Sequence, residues 1–278
     1  MKQSNSKSIT LTKRTFILLM ALYLLICVLL LFLQDRLIFS LAYRGSQEVL
    51  CENFPVDTVK PLEISMSDGC VLRGYWMQST TSKPKKLLFY FGANAEDISL
   101  LPPKMTGFSD WSIVLMHYRG YLTSDGEPSA EKLYADSQEI YDYILKNSDI
   151  NYEKIVIMGR SIGSSVATHL ASTRENSAVI LISPFDSLIH VISQKCPILP
   201  VNLLLKHKFE SIKYAPDVTS PVYILAGIND WLVPTSLTKE LAKSFGGEVT
   251  YTEIPDVDHN SIDDCQEYWL LISDFLAQ

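Results

Sequence analysis

Five short runs, residues 87–91, 112–116, 154–158, 179–182 and 222–226, are apolar on nearly every position. No other feature narrows the fold as far. A strand that is greasy on both faces belongs inside a parallel sheet whose two faces are covered by helices. Between these runs lie stretches with helical spacing, at 130–146 and 234–245. A closing helix is predicted from about 261 to the end, carrying Trp269, Leu270, Ile272 and Phe275. Ahead of them, 62–66 and 71–76 flank Ser67-Asp68-Gly69, which reads as a β-hairpin around an Asp-Gly turn. With a last strand at 249–254, the pattern predicts an α/β sandwich: a mostly parallel sheet of about eight strands with helices on both faces. Almost forty residues separate Ser183 from Val222, long for a plain crossover. They include an apolar segment, 197–205, followed by Lys206-His207-Lys208. Residues 184–220 therefore read as a small cap over the C-terminal edge of the sheet, the alternative being one ordinary crossover helix with loops.

Residues 15–34 form twenty consecutive uncharged positions. As a helix rising about 1.5 Å per residue they span about 30 Å, the thickness of a hydrocarbon core. A cleaved signal peptide is the competing reading. The run is long for that, and Gln34-Asp35-Arg36-Leu37 follows where small residues would mark a cleavage site. Lys2, Lys7, Lys13 and Arg14 precede the run with no acidic residue among them. The positive-inside bias then makes 1–14 a cytoplasmic basic tail, 15–34 a single transmembrane anchor, and 35–278 an extracytoplasmic domain in a periplasm or lumen. All 31 acidic residues fall after the run, so this domain is more negative than the whole chain's −7. Nucleic acid is thereby a poor partner. Of the five cysteines, Cys27 lies in the anchor; Cys51, Cys70, Cys196 and Cys265 could pair or stay as thiols in such a compartment.

Gly159-Arg160-Ser161-Ile162-Gly163 follows one of the buried runs, and Ile162, Val166 and Leu170 then recur every four residues. G-x-S-x-G between a strand and a helix is a nucleophile elbow: the glycines permit a sharp turn, and the serine stands at the strand end beside a helix N-terminus. A serine hydroxyl needs a base, and in this chain order an acid and then a histidine follow it. His259, in the loop before the last helix, fits the base. His117 precedes Ser161, His169 lies on the elbow helix, and His190 and His207 lie in the cap segment. Asp230, after the run 222–226, fits the acid; Asp186 is the second candidate, and Asp217 falls before the strand. Asp256, Asp258 and His259 could instead hold a metal, but no second ligand cluster supports that, so neither a metal nor a cofactor is expected. Developing negative charge would be met by the N–H of Ile162 and by one from Gly92-Ala93-Asn94-Ala95.

The hairpin at Ser67-Asp68-Gly69, the segments 91–96 and 117–121, the elbow, Gly227-Ile228-Asn229-Asp230 with Val233-Pro234, and Asp258-His259-Asn260 occur in one order across nearly all of 55–278. In these the chain resembles the α/β-hydrolase superfamily, and within it the membrane-anchored, serine-aminopeptidase-like branch that includes protein depalmitoylases. The resemblance implies catalytic roles for Ser161, Asp230 and His259. The family's usual His-Gly-Asn-Ala is Gly92-Ala93-Asn94-Ala95 here. Aligned so, Asn94 supplies the second oxyanion N–H; a slip of one residue would make it Ala93. The lost glycine matters if that position needs a positive φ. Arg119, in His117-Tyr118-Arg119-Gly120, is read as a loop brace rather than a substrate clamp. The expected activity is hydrolysis of a carboxylic ester or thioester of a small or lipid-like acyl substrate. A serine peptidase using the same three residues, and an inactive hydrolase fold serving as a tethered binding module, are the alternatives.

Overall fold

A computed structural model describes residues 2–43, 58–81 and 85–277, and side chains from residue 13 onward. The chain opens with a helix, α1 (Lys2–Ile38), and then alternates strands and helices: β1 (Val59–Ser65), β2 (Val71–Met77), β3 (Lys86–Phe91), β4 (Trp111–Met116), α2 (Ala130–Asn147), β5 (Lys154–Arg160), α3 (Ile162–Ala171), β6 (Ala178–Ile182), α4 (Leu188–Lys195), α5 (Val201–Leu204), β7 (Val222–Gly227), α6 (Thr235–Ala242), β8 (Val249–Ile254) and α7 (Gln266–Ala277). One sheet holds eight strands in the order β1-β2-β4-β3-β5-β6-β7-β8. The pairs β1/β2 and β2/β4 are antiparallel and the others parallel. The hairpin closes with Ser65 opposite Val71, around the predicted turn.

The doubly apolar runs are buried because alternate side chains enter different cores. Leu87, Phe89 and Phe91 of β3 pack with Leu133 of α2 and Val166 of α3. Leu88 and Tyr90, on the opposite face, pack with Tyr268 and Ile272 of α7. The closing helix starts at Gln266 rather than near 261, because the Asp258 carboxylate accepts the N–H groups of Asn260 and Ser261 and ties that stretch into a turn. The region between β6 and β7 holds two short helices, α4 and α5, and two 3₁₀ turns. The first helix runs beyond 15–34 at both ends; its part at Lys13–Ile38 is long and apolar enough to cross a membrane and is hardly buried by the rest of the protein. Phe39, just past it, is fully buried in the domain core. Cys27, Cys70, Cys196 and Cys265 are free thiols, and Cys51 lies outside the described residues.

Two buried titratable side chains flank this frame, one charged and paired, the other neutral. Arg119 spans Asp136 of α2 (Nε to Oδ2, 3.0 Å) and Asp68 of the hairpin (2.6 Å), so it is a brace, not a clamp in the cleft. His117, just past β4, is buried, and its Nδ1 has no hydrogen-bond partner among the described residues. Burial, opposed only in part by Asp97, pushes its pKa down to about 4. Between about pH 6.5 and 4 the unfolded chain therefore binds a proton that the folded chain refuses. This contribution is intact above the unfolded value and fades as pH falls toward 4, by roughly 3 kcal/mol at most. Denaturant titrations of the full chain from pH 7 to 4 should show this loss, and His117→Gln should flatten it.

Candidate active site

Only Ser161 separates β5 from α3, and the chain has to reverse there. Ser161 does so with φ +53° and ψ −118°, a geometry that costs about 1–3 kcal/mol and persists only because its surroundings enforce it. Ile182 of β6 accepts its N–H at 2.9 Å, and Ser164 donates its N–H (2.9 Å) and its hydroxyl (2.5 Å) to the Ser161 carbonyl. The two elbow glycines are there for space. A Cβ on Gly159 would lie 2.2 Å from the Gly163 carbonyl oxygen, and one on Gly163 would lie 2.1 Å from that of Phe91 and 2.5 Å from that of Gly92. Backbone atoms cannot swing away as a side chain can. Gly163→Ala should therefore lower stability by about 3 kcal/mol or more, read as a shift in denaturation midpoint, and should distort the loop after β3.

The loops after β7 and β8 deliver the other two residues. His259 Nε2 lies 3.0 Å from Ser161 Oγ, and His259 Nδ1 lies 2.8 Å from Asp230 Oδ2. All three residues are buried. The second carboxylate oxygen of Asp230 accepts the N–H groups of Leu232 (3.0 Å) and Val233 (2.7 Å), which fixes its plane. Burial pushes the Asp230 carboxyl up, but the hydrogen bond and charge of His259 and the Val233 N–H outweigh it and hold the group below its ordinary value. The second acid candidate, Asp186, bonds His190 and the Ser187 N–H instead of His259. His169 stacks on Tyr134 with ring centroids 4.4 Å apart, and His207 bonds Asp35. Among the described residues, no group of three His, Cys, Asp or Glu is arranged to hold a metal ion.

The loop after β3 forms the opposite wall. The Ala93 N–H donates to Glu96 Oε2 at 2.7 Å, while no acceptor among the described residues takes the N–H of Asn94 or of Ile162. Ala93 is not among the residues with positive φ, so its methyl group adds no backbone strain there. Tyr121 donates to the Asn94 side chain at 3.0 Å and fixes it in place. A cleft of about 300 Å³ opens over Ser161 and His259, lined also by Asn94, Leu100, Leu101 and Leu232.

The sequence reading assigned no role to Arg160, the second residue of the elbow. The structure buries it at the junction of both walls. Its guanidinium bonds the carbonyls of His259 (3.0 Å) and Asn260 (3.3 Å), and pairs with Glu96 (3.1 Å) and Asp263 (2.9 Å). Burial favours its neutral form, but these carboxylates keep it firmly charged. Arg160 thus ties the histidine loop to the loop carrying Ala93 and Asn94. A signal was present: an arginine between a buried strand and a buried helix needs carboxylate partners, and Glu96 and Asp263 lie in segments that bound the cleft.

No family model matches the chain. It is 32% identical to an uncharacterized protein of Mycobacterium tuberculosis over 200 residues, covering 71% of each chain. It is 24% identical to the alpha/beta hydrolase domain-containing protein WAV2 of Arabidopsis thaliana, covering 88% of each. Among solved structures, an esterase of Pyrococcus furiosus superposes with a TM-score of 0.67 at 17% identity, covering 84% of this chain and 97% of that one; the likeness is one of fold.

Proposed function

Because the chain belongs to the α/β-hydrolase superfamily, we propose that it is a membrane-anchored serine hydrolase cleaving carboxylic ester or thioester bonds through Ser161, His259 and Asp230. The observation that carries this reading is the continuous hydrogen-bond chain from Ser161 Oγ through both ring nitrogens of His259 to Asp230, at 3.0 and 2.8 Å. Ser161 Oγ attacks the substrate carbonyl carbon while His259 Nε2 takes the hydroxyl proton. Asp230 holds the proton on Nδ1 and stabilises the imidazolium. The oxyanion accepts hydrogen bonds from the N–H groups of Ile162 and Asn94; the engagement of Ala93 with Glu96 favours Asn94 for this role. Collapse breaks the bond to the alcohol or thiol, which leaves with the proton from His259. Water, deprotonated by the same ring, then attacks the acyl-serine, and the acid departs as Ser161 regains its proton.

The cleft favours esters over peptides with a free amine. Its carboxylates are already engaged: Glu96 with Arg160, Asp97 with the Ser99 N–H, and Asp263 with Arg160 and Lys104. Glu96 and Asp263 are neutralised by these cations, and only Asp97, held through one oxygen by Ser99, keeps its charge unpaired. The apolar helix at Lys13–Ile38 supports a single-pass anchor, and the basic residues ahead of it put the N-terminus in the cytoplasm and residues 35–278 on the far side, in a periplasm or lumen. The substrate is a small or lipid-like acyl compound, and neither metal nor cofactor takes part. A fluorophosphonate probe should label the full chain on Ser161, located by mass spectrometry of the digest. Folded protein that stays unlabelled would overturn the reading.

A further inference from the structure

We propose that residues 197–205, the end of the link after α4 together with α5, form a second membrane contact. They act as an apolar wedge seated among the phospholipid acyl chains of the leaflet that borders the globular domain. The proposal rests on α1 being a membrane span and is independent of hydrolysis.

The wedge lies along α1 and touches it at two levels. Tyr23 donates its hydroxyl to the Ile198 carbonyl at 3.0 Å. Gln34 donates to the Leu204 carbonyl at 3.1 Å and accepts the Lys206 N–H at 2.8 Å. Tyr23 sits in the middle of the uncharged run and Gln34 at its end. At 1.5 Å per residue these levels are about 16 Å apart, roughly half of a hydrocarbon core about 30 Å thick. A bilayer that surrounds α1 up to Gln34 therefore also surrounds Ile198.

The outward side chains suit that solvent. Ile198 is 82% exposed and Leu203 is 83% exposed, against the near-complete burial of aliphatic side chains in the sheet. An apolar recess of about 190 Å³ opens between wedge and anchor, lined among others by Leu30, Leu37, Leu199 and Leu204. Backbone polar groups are the usual obstacle to placing a loop in hydrocarbon. Here Pro197 and Pro200 have no N–H to satisfy, Leu199 donates its N–H to Cys196 just ahead of the segment, and Val201, Leu203, Leu204 and Leu205 donate theirs to carbonyls within it, so that only the N–H groups of Ile198 and Asn202 are left over among the described residues of the segment.

The ends of the wedge are polar, as a water boundary requires. At one end His207 bonds Asp35 at 2.9 Å, with Lys206 3.8 Å from the same carboxylate. At the other, Lys195 bonds the Trp231 carbonyl and lies 5.4 Å from the centre of its exposed ring, a basic-aromatic pairing typical of headgroup depth. Trp231 directly precedes Leu232, which lines the cleft. The mouth of the site is thereby held at the bilayer surface, where an acyl chain still in the leaflet can present its ester. Continuity with α1, at two contacts along one helix, identifies the occupant as lipid rather than a second protein.

The test uses the full wild-type chain in phosphatidylcholine nanodiscs doped with a phosphatidylcholine carrying a diazirine on its acyl chain. After irradiation, adducts are mapped by mass spectrometry. Adducts are expected in 197–205 as well as in 15–34, both roughly tenfold above the buried strands β3 and β5. Adducts in 15–34 but not in 197–205 would overturn the proposal and leave the apolar face to a protein partner. Adducts in neither would remove the membrane span, and the wedge with it. Since the readout needs no turnover, loss of the hydrolase reading would leave this result standing.

Discussion

Ser161→Ala is expected to abolish fluorophosphonate labelling and to lower kcat for p-nitrophenyl acyl esters by about 10⁴- to 10⁶-fold. The substitution removes one oxygen at a position where the backbone is held by its neighbours. The Ile182 carbonyl still receives the N–H, and Ser164 still bonds the carbonyl. The fold should persist, with a denaturation midpoint close to that of the parent, so lost turnover would report chemistry rather than unfolding. A variant that keeps more than a tenth of the parental rate would remove Ser161 from the nucleophile's role.

Asp230→Asn should lower kcat by about 10⁴-fold with little change in KM. The amide oxygen can still accept the N–H groups of Leu232 and Val233, so the loop keeps its shape. The amide nitrogen then faces His259 Nδ1, a donor against what must be a donor. The ring answers by accepting there and carrying its proton on Nε2, towards Ser161, and a protonated Nε2 cannot take the hydroxyl proton. The charge that stabilised the imidazolium is lost as well. Asp230 is held below the ordinary carboxylate value, so it remains charged above about pH 4. In the parent, the stability it contributes is present above that range and is lost as pH falls through its folded value; in Asp230→Asn that acid-side dependence should be missing. A rate that barely changes would move the acid elsewhere. The buried Asp186 is poorly placed to take over, since its carboxylate already serves His190 and Ser187.

Much of the fold was legible because burial on both faces leaves a composition that little else produces. Residues 87–91, 154–158 and 222–226 read as central strands and are β3, β5 and β7 with at most two residues of difference at an end. The helix boundaries were harder. The turn that Asp258 builds with Asn260 and Ser261 delays α7, and nothing in the apolar spacing of Trp269, Ile272 and Phe275 records it. Ala93 looked like a departure at a position wanting glycine; the loop accommodates it because its φ is not positive there.

The sequence by itself determined the strands of the sheet, a helix long and apolar enough to span a membrane, and Ser161 and His259 with two candidate carboxylates, because periodicity, run length and the strand–Ser161–helix junction are local and survive in one dimension. Tertiary structure decided everything that depends on two distant loops meeting. It set which carboxylate faces His259, and it made Arg160 the tie between Glu96, Asp263 and the His259 carbonyl. It also laid 197–205 along the helix that holds Tyr23 and Gln34. The physical reason is the range of the forces. Hydrophobic patterning is written residue by residue, whereas a hydrogen bond or ion pair acts over about 3 Å and has no signature until folding brings its partners together.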